Sequence, residues 1–539
     1  MKGKSLSLLI ISALLFVSCG SGEKNTGKDL YDVIIVGAGG GGLAAAAQLT
    51  RAGKKVLIIE QHYKVGGYMT DFTRGDYTFE ISLHAMDNLN PGRMNVEIFK
   101  NLGIYDKVKP VKADPISKIF FPGFSVIVPA DPEKYRQLLI DRYPKDKESI
   151  DNFYKATKNM DAVVYAGLYF MKGEYMTGIW ESLKNITSFG TFIRHRNSTT
   201  AEFLRDYIKN EELLGFMAIL TGMLGDSLDN VSGLMFAGMW NGYHRGGYYN
   251  FEGGSQSITD ALENIIRNNH GEILLSTLVT KIIIEDGRAV GVTTRDVRTK
   301  EKKEFRSRYV ISNANAPDTF FKLVGENNLP KDYTENLKKM KIGPSSFLVY
   351  LGVNKDYSDY YPGNTHEIMI NYSVDAKENY KAWQTGDISK IPFGVANYSK
   401  INPNAAPKGK NTLVITSIMS YDCYNNWMKN EPYEKYKNLK TTLAKTLIKR
   451  MEPYLPGISS HIEVMEVATP RTNERYTLNP KGSLFGWANT VEQSMWNRLP
   501  QKTPIKNLYL AGAWTLPCGG QSVVLVSGYM AANMILEKD

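Results

Sequence analysis

With 539 residues, 43% of them hydrophobic, the chain can bury a large core and build more than one domain. Its formal charge of +10 comes without any dense Lys/Arg tract among aromatics, which argues against a nucleic-acid partner and leaves an anionic membrane surface or simply solvated lysines. The three cysteines lie far apart, which excludes a disulfide framework and metal-ligand spacing, so no metal site is expected.

The first residues read as an address. Lys2 and Lys4 make a positive start, and residues 6–17 are apolar but too short to span a bilayer comfortably. Ser18 followed by Cys19 resembles the end of a bacterial lipoprotein signal. That resemblance implies a signal peptide over 1–18, a lipidated Cys19 as the mature N-terminus, and a polar tether over 19–29. No twin-arginine pair is present, so the implied route is Sec. The expected location is the bacterial cell envelope, membrane-anchored and facing the periplasm or exterior. An uncleaved hydrophobic tail is the plainer alternative.

Residues 32–36 form a short β-branched apolar run, expected as a buried parallel strand. Gly37, Gly39 and Gly42 then give G-x-G-x-x-G, with Ala38 and Gly40 inside the loop. Residues 43–52, rich in Ala and Leu, read as a helix that Gly53 can cap. Residues 55–59 are a second strand ending in Glu60, which completes a βαβ unit with a terminal acid. Gly37 permits the tight turn, Gly39 lets backbone approach a pyrophosphate, and Gly42 lets helix pack on strand. The helix N-terminus offers N–H groups and partial positive charge to phosphates, and Glu60 is spaced to bind ribose hydroxyls. An ordinary glycine-rich loop has no need of this whole set. Gln61 and then Gly66-Gly67-Tyr68 follow, and a second glycine pair after the acid resembles amine-oxidase-type flavoproteins. By that resemblance its backbone lies near the flavin end, so FAD is the expected cofactor.

Residues 77–81 alternate like a strand. The order of glycine motif, Glu60, Gly66-Gly67 and then F-E-x-x-x-H at Phe79, Glu80 and His84 resembles the phytoene desaturase, carotenoid isomerase and retinol saturase family. That family usually has Gly where Ser82 stands and often Arg or Cys where Tyr68 stands. The resemblance implies an α/β fold: a Rossmann-type FAD-binding domain, amine-oxidase-like and discontinuous, with an inserted α+β substrate domain. It puts 30–90, 250–320 and 484–539 in the FAD-binding domain and 91–249 and 321–483 in the substrate-binding domain. An imidazole titrating near neutrality suits His84 to proton donation at the flavin; a hydrogen-bonded structural histidine is the alternative.

In the first excursion, Asp131 followed by Pro predicts a capped helix to residue 142, and 147–160 predicts a second, amphipathic one. The stretches 162–176 and 213–240 are rich in Met, Leu, Gly and aromatics, which suits either a soft-lined tunnel for a polyene or a plain helical core. A helix over 258–268, a strand over 272–275 and a hairpin of 279–284 with 289–294 return the chain to the cofactor half. The resemblance puts Val279 at the adenine. Residues 309–314 read as a short strand; 345–352 and 412–417 are strand-like, and 432–454 is mostly helical. At the C-terminus 507–512 is a strand, 513–521 a loop and 522–536 a helix. By resemblance this unit, through Gly512, Ala513, Ser522, Val523 and Val524, brings amides and a helix N-terminus to the flavin pyrimidine. Many relatives have Asp where Ala513 stands. Cys518 stands where Gly or Ser is common, which opens a redox or covalent role.

The family resemblance implies an FAD-dependent oxidoreductase acting on C–C or C=C bonds of a hydrophobic polyene or isoprenoid, by hydride transfer at flavin N5. Saturation, desaturation and isomerisation all remain open. Glu80, Tyr243 and His244 stand beside His84 as candidate bases. The envelope address implies membrane quinone or a redox partner in place of a soluble nicotinamide. The alternatives are an amine or amino-acid oxidase on the same fold and a non-catalytic lipid escort.

Overall fold

The computed structural model describes residues 30–81, 85–171 and 175–538. The expected signal peptide over 1–18, the tether with Cys19, Ser82 and His84 all lie outside the described residues. The strand Leu30–Val36 sits at the centre of the first sheet because both of its faces are covered: Val33, Ile34 and Ile35 are fully buried. It pairs in parallel with Val56–Ile59 on one side and Lys302–Ser312 on the other. Glu272–Leu274 extends the sheet beyond Val56–Ile59. Leu508–Leu510 runs parallel to the end of Lys302–Ser312. The hairpin Thr277–Glu285 and Arg288–Asp296 adds an antiparallel wing. Lys302–Ser312 starts well before residue 309: its exposed Lys302, Lys303 and Glu304 read as loop by composition, yet their backbones close the ladder to that wing.

The helix Gly40–Arg51 packs between this sheet and the C-terminal helix Gln521–Leu536. Both contact faces are built of small residues. Ala44 to Ala47 are fully buried, and a Cβ on Gly528 would fall 2.0 Å from the Gly41 carbonyl oxygen. Backbone thus meets backbone, so the N- and C-terminal segments close one cofactor half.

A second sheet has the order Ile462–Ala468, Ser345–Val353, Asn411–Met419, Phe393–Asn397, Glu367–Ile370, Ser117–Phe121 and Phe124–Val128. The last two strands come from the stretch read above only for its helices. Ser117–Phe121 pairs in parallel with Glu367–Ile370, so the two excursions share one sheet. All nine residues of Ser345–Val353 are buried. One face, with Phe347 and Val349, packs on Trp427 and Leu447 of the helical layer. The other, with Leu348 and Tyr350, packs on Tyr77 and Phe79 next to the cofactor half.

Arg498 is buried to 1% exposure and joins the two loops that meet below the site. Its guanidinium donates to the carbonyls of Phe485 and Ala513, each at 2.7 Å. Burial pulls its pKa down to about 10, so it stays charged at neutral pH. Arg498→Met leaves both carbonyls unpaired, and we expect a loss of about 3 kcal/mol, read as a lower urea midpoint at unchanged m-value.

Candidate active site

The glycine loop is shaped by close approach. Gly37 has φ +92° and donates its N–H to the Ile59 carbonyl at 2.8 Å, which turns the chain off the strand. A Cβ on Gly42 would lie 2.1 Å from the Gly37 carbonyl oxygen. Neither Gly42 nor Ala38 lines the cavity that opens here; they hold the turn from behind. Gly39 and Gly40 do line it, at the start of a helix whose first turn carries no acidic side chain. Those N–H groups and their dipole are therefore available to an anion.

Glu60 is tied back to the same turn. Its carboxylate accepts from the Ala38 N–H and the His62 N–H, both at 2.8 Å. Burial raises its pKa and these donors pull it partly down again. Gly66, at φ +121°, donates to the Ala38 carbonyl at 2.8 Å and bridges to Gly39, so the second glycine pair folds directly against the first loop. Gln61 donates to the Tyr476 carbonyl at 3.1 Å. The Tyr68 hydroxyl reaches the Ser483 carbonyl, and burial pushes its pKa up to about 12.

Gly512, Ala513, Ser522, Val523 and Val524 line the far wall, and Val279 lines the end nearest the hairpin. Asn313, which the sequence reading passed over as the tail of a strand, is the hub between these parts. A Cβ on Gly39, Gly41 or Gly512 would come within 2.9, 2.6 and 2.4 Å of its side-chain amide. Position after a β-strand gave no signal for this; only the packing of three glycines around one amide does.

Together these walls enclose a cavity of about 1200 Å³. That exceeds the roughly 300–1,000 Å³ of pockets for drug-sized ligands. The glycine cradle, the open helix N-terminus and the buried acid fit a dinucleotide such as FAD. The same cavity is also lined by Met160, Ile219, Met235, Met239 and Met369.

The candidate bases separate. Glu80 is outside this cavity: it accepts from the backbone N–H and the hydroxyl of Ser255, anchoring the start of the helix Gly254–Asn268. That carboxylate is committed to a helix N-terminus and is not a base for the site. His244 is also outside, buried with its ring 4.7 Å from both Tyr135 and Trp240. Burial takes its pKa down to about 3, so it is neutral packing material. Tyr243 does line the cavity, and burial raises its hydroxyl pKa far above neutrality.

Asp87 was not among the candidate bases of the sequence reading. It ends the two-residue strand Met86–Asp87, held opposite Tyr248 and Tyr249, and faces the cavity beside Ser522. Its Oδ2 accepts from Asn88 at 2.8 Å, while Oδ1 is buried without a hydrogen-bond partner. Burial raises its pKa, with Ser522 and Arg93 pulling partly the other way. A close acid after an F-E-x-x-x-H run was the available signal.

Cys518 lines the cavity, and burial pushes its thiol up to about 11, with the Arg498 charge a smaller opposing effect. That shift keeps the thiol protonated at neutral pH. Iodoacetamide at neutral pH is expected to leave Cys518 unmodified in the native protein and to modify it after urea unfolding, as read by peptide mass spectrometry.

Residues 41–536 match the family model described as flavin containing amine oxidoreductase. Among curated proteins, the chain is 28% identical to the chloroplastic prolycopene isomerase of Daucus carota, covering 94% of this chain and 80% of that one. It is 25% identical to the all-trans-retinol 13,14-reductase of Danio rerio (90% and 83% covered) and 28% identical to the neurosporene-forming phytoene desaturase of Rhodobacter capsulatus (95% and 95%). An oxidoreductase structure from Methanosarcina mazei superposes with a TM-score of 0.62 at 18% identity, over 94% of this chain and all of that one. With a family match over nearly the whole length and a cavity built for a dinucleotide, the chain belongs to the flavin containing amine oxidoreductase family and is an FAD-dependent oxidoreductase.

Proposed function

We propose that this enzyme acts on C–C or C=C bonds of a hydrophobic polyene or isoprenoid. The observation that carries the reading is the continuity of the cavity: the dinucleotide end runs directly into a methionine-rich apolar end, without a wall between them. Methionine side chains are adaptable and suit a long flexible hydrocarbon. The similarity to a prolycopene isomerase, a retinol reductase and a phytoene desaturase supports the same substrate class.

Gly39, Gly40 and the helix N-terminus behind them would hold the pyrophosphate, and Glu60 the adenosine ribose. Val279 would pack at the adenine. Gly512, Ala513 and the first turn of Gln521–Leu536 would face the isoalloxazine, where the positive helix end favours negative charge. FAD, when bound, supplies the acceptance or donation of hydride. The apolar walls exclude water from the reacting carbons. Asp87, which lines the cavity, would give a proton to substrate or take one from it.

The Cys19 signal suggests a lipid-anchored envelope protein that exchanges electrons with membrane quinone or a redox partner; incorporation of labelled fatty acid that persists in Cys19→Ala would end this part of the reading. The substrate class is tested anaerobically. The purified yellow protein is reduced and all-trans-retinol is added. Rapid reoxidation is the expected result for a saturating enzyme. A flavin that stays reduced with retinol and with longer carotenoids, but reacts with amines in its oxidised form, would assign an amine oxidase instead.

A further inference from the structure

The stretch after the helix Lys147–Met171 is folded inside out. The helix Tyr175–Lys184 buries only Gly178, and the turn Ile186–Ser188 buries only Ser188. Gly178 packs so close that a Cβ there would lie 2.9 Å from the Phe170 ring. Ser188 donates to the Asn159 side chain, which in turn donates to Thr191. Small and polar residues thus face the protein. The apolar ones face out: Tyr175, Met176, Ile179, Trp180, Leu183 and Ile186 are 45% to 78% exposed. Ile193, on the next helix Phe189–His195, continues them at 59%. These are seven of the eighteen large apolar side chains exposed among the described residues, so the exposure is a patch and not scatter.

We propose that this face docks on an anionic lipid bilayer, lying in the interface beside the helix Lys147–Met171 that forms part of the cavity wall. Three observations select lipid as the occupant. First, Met176, Ile179, Trp180 and Leu183 follow the three- and four-residue spacing of a single helix stripe, as in helices that rest in the headgroup region. Second, basic side chains lie at the edge of the stripe: Lys184, paired with Glu181 at 2.8 Å, sits 5.5 Å over the Trp180 ring, and beyond Ile193 lie Arg194, paired with Asp206, and the exposed Arg196. Aromatic and basic side chains side by side are what a bilayer interface accommodates. Arg196, exposed at this edge, would meet anionic headgroups. Third, the patch is continuous with the cavity wall. The helix Lys147–Met171 packs along Tyr175–Lys184 and carries Met160, Val164 and Tyr165 on the cavity side. Phe192 also touches Trp496 at 5.6 Å; Trp496 is half exposed, and its neighbour Met495 lines the cavity.

The contact with lipid stands on its own and is independent of Cys19. Delivery of a hydrophobic substrate from the bilayer into the cavity rests on the polyene reading above.

The test compares the full chain carrying Cys19→Ala, so that no lipid is attached, with the same protein carrying Ile179→Ser, Trp180→Ser and Leu183→Ser, on vesicles of equal parts phosphatidylcholine and phosphatidylglycerol without substrate. The variant is expected to partition roughly a hundred-fold more weakly, the effect of withdrawing three partly inserted apolar side chains. FAD content is expected to be unchanged, since none of the three touches the site. Equal partitioning would overturn the proposal. So would a wild-type dimer in vesicle-free solution that becomes a monomer in the variant, which assigns the face to a second copy. Brominated phosphatidylcholine gives a second reading with a conservative change: it should quench part of the tryptophan emission of the wild type and lose that part in Trp180→Phe. Identical quenching in both would also refute the contact. Because no turnover is measured, a wrong substrate class leaves this result intact.

Discussion

Asp87→Asn is expected to lower turnover by about 10²- to 10⁴-fold, the usual range for removing a positioned acid or base, while FAD content stays at the wild-type level. Asparagine keeps the shape and can still accept from Asn88, but it cannot exchange a proton. The pH dependence tells a chemical role from a structural one. The Asp87 carboxyl faces Arg93, Asp161, Tyr243 and Cys518, with Arg93 and Asp161 paired to each other at 2.9 Å. Burial is the dominant effect and holds the proton on to higher pH than the ordinary 3.8. A reaction that takes a proton from Asp87 therefore slows as pH rises through this raised value, and one that gives it a proton speeds up. The sign of that limb reports whether the enzyme saturates or desaturates, and the limb should vanish in the variant.

Stability moves oppositely to activity. Because the folded carboxyl binds its proton more tightly than the unfolded one, wild-type stability falls as pH rises from the unfolded value, near 3.8, through the folded value. Asp87→Asn lacks that loss, so at neutral pH its melting temperature should equal or exceed the wild type's. A variant that instead melts early and loses flavin would make Asp87 a structural residue.

Gly42→Ala is expected to give a colourless protein. The added methyl would sit 2.1 Å from the Gly37 carbonyl oxygen and 3.3 Å from the Asn313 side chain. The first clash is with backbone in the tightest part of the loop, so no rotamer change relieves it. Overpacking costs about 3 kcal/mol, at the upper end of its usual range. Loss of FAD removes a further stabilisation of about 4 kcal/mol at a thousand-fold excess of cofactor over Kd. Flavin absorbance per protein and thermal melting with and without added FAD measure the two parts. Gly190→Ala is the control: it lies in a helix with nothing within 4 Å of an added Cβ. That change should raise stability by about 0.5–1 kcal/mol and leave the yellow colour.

The cofactor half was legible because its information is local. The expected elements at 32–36, 43–52 and 55–59 appear as Leu30–Val36, Gly40–Arg51 and Val56–Ile59. A turn that only glycine can make, followed by a helix and an acid at fixed spacing, is written in thirty consecutive residues. Its meaning does not depend on what packs against it. The capped helix Pro132–Arg142 was legible for the same reason, since Asp131 accepts from the backbone N–H groups of Glu133 and Lys134, two and three residues on.

The rest was decided by tertiary structure. Ser117–Phe121 and Phe124–Val128 become sheet because Glu367–Ile370, far along the chain, supplies the partner edge. Glu80 and His244 looked as suitable as Asp87 by residue type. Packing then committed one carboxylate to Ser255 and buried the imidazole between rings, leaving Asp87 as the one of these three that lines the cavity. The apolar stretch at 162–176 was compatible with core or tunnel, and the residues after it point outward. Sequence alone carried the glycine motif, the helix after it and the acid at the end of the next strand. Which acid faces the cavity depends on contacts across hundreds of residues, and which way a stripe faces depends on how its helix packs on the preceding one. Periodicity sets the spacing of a pattern but not the side from which the protein approaches it.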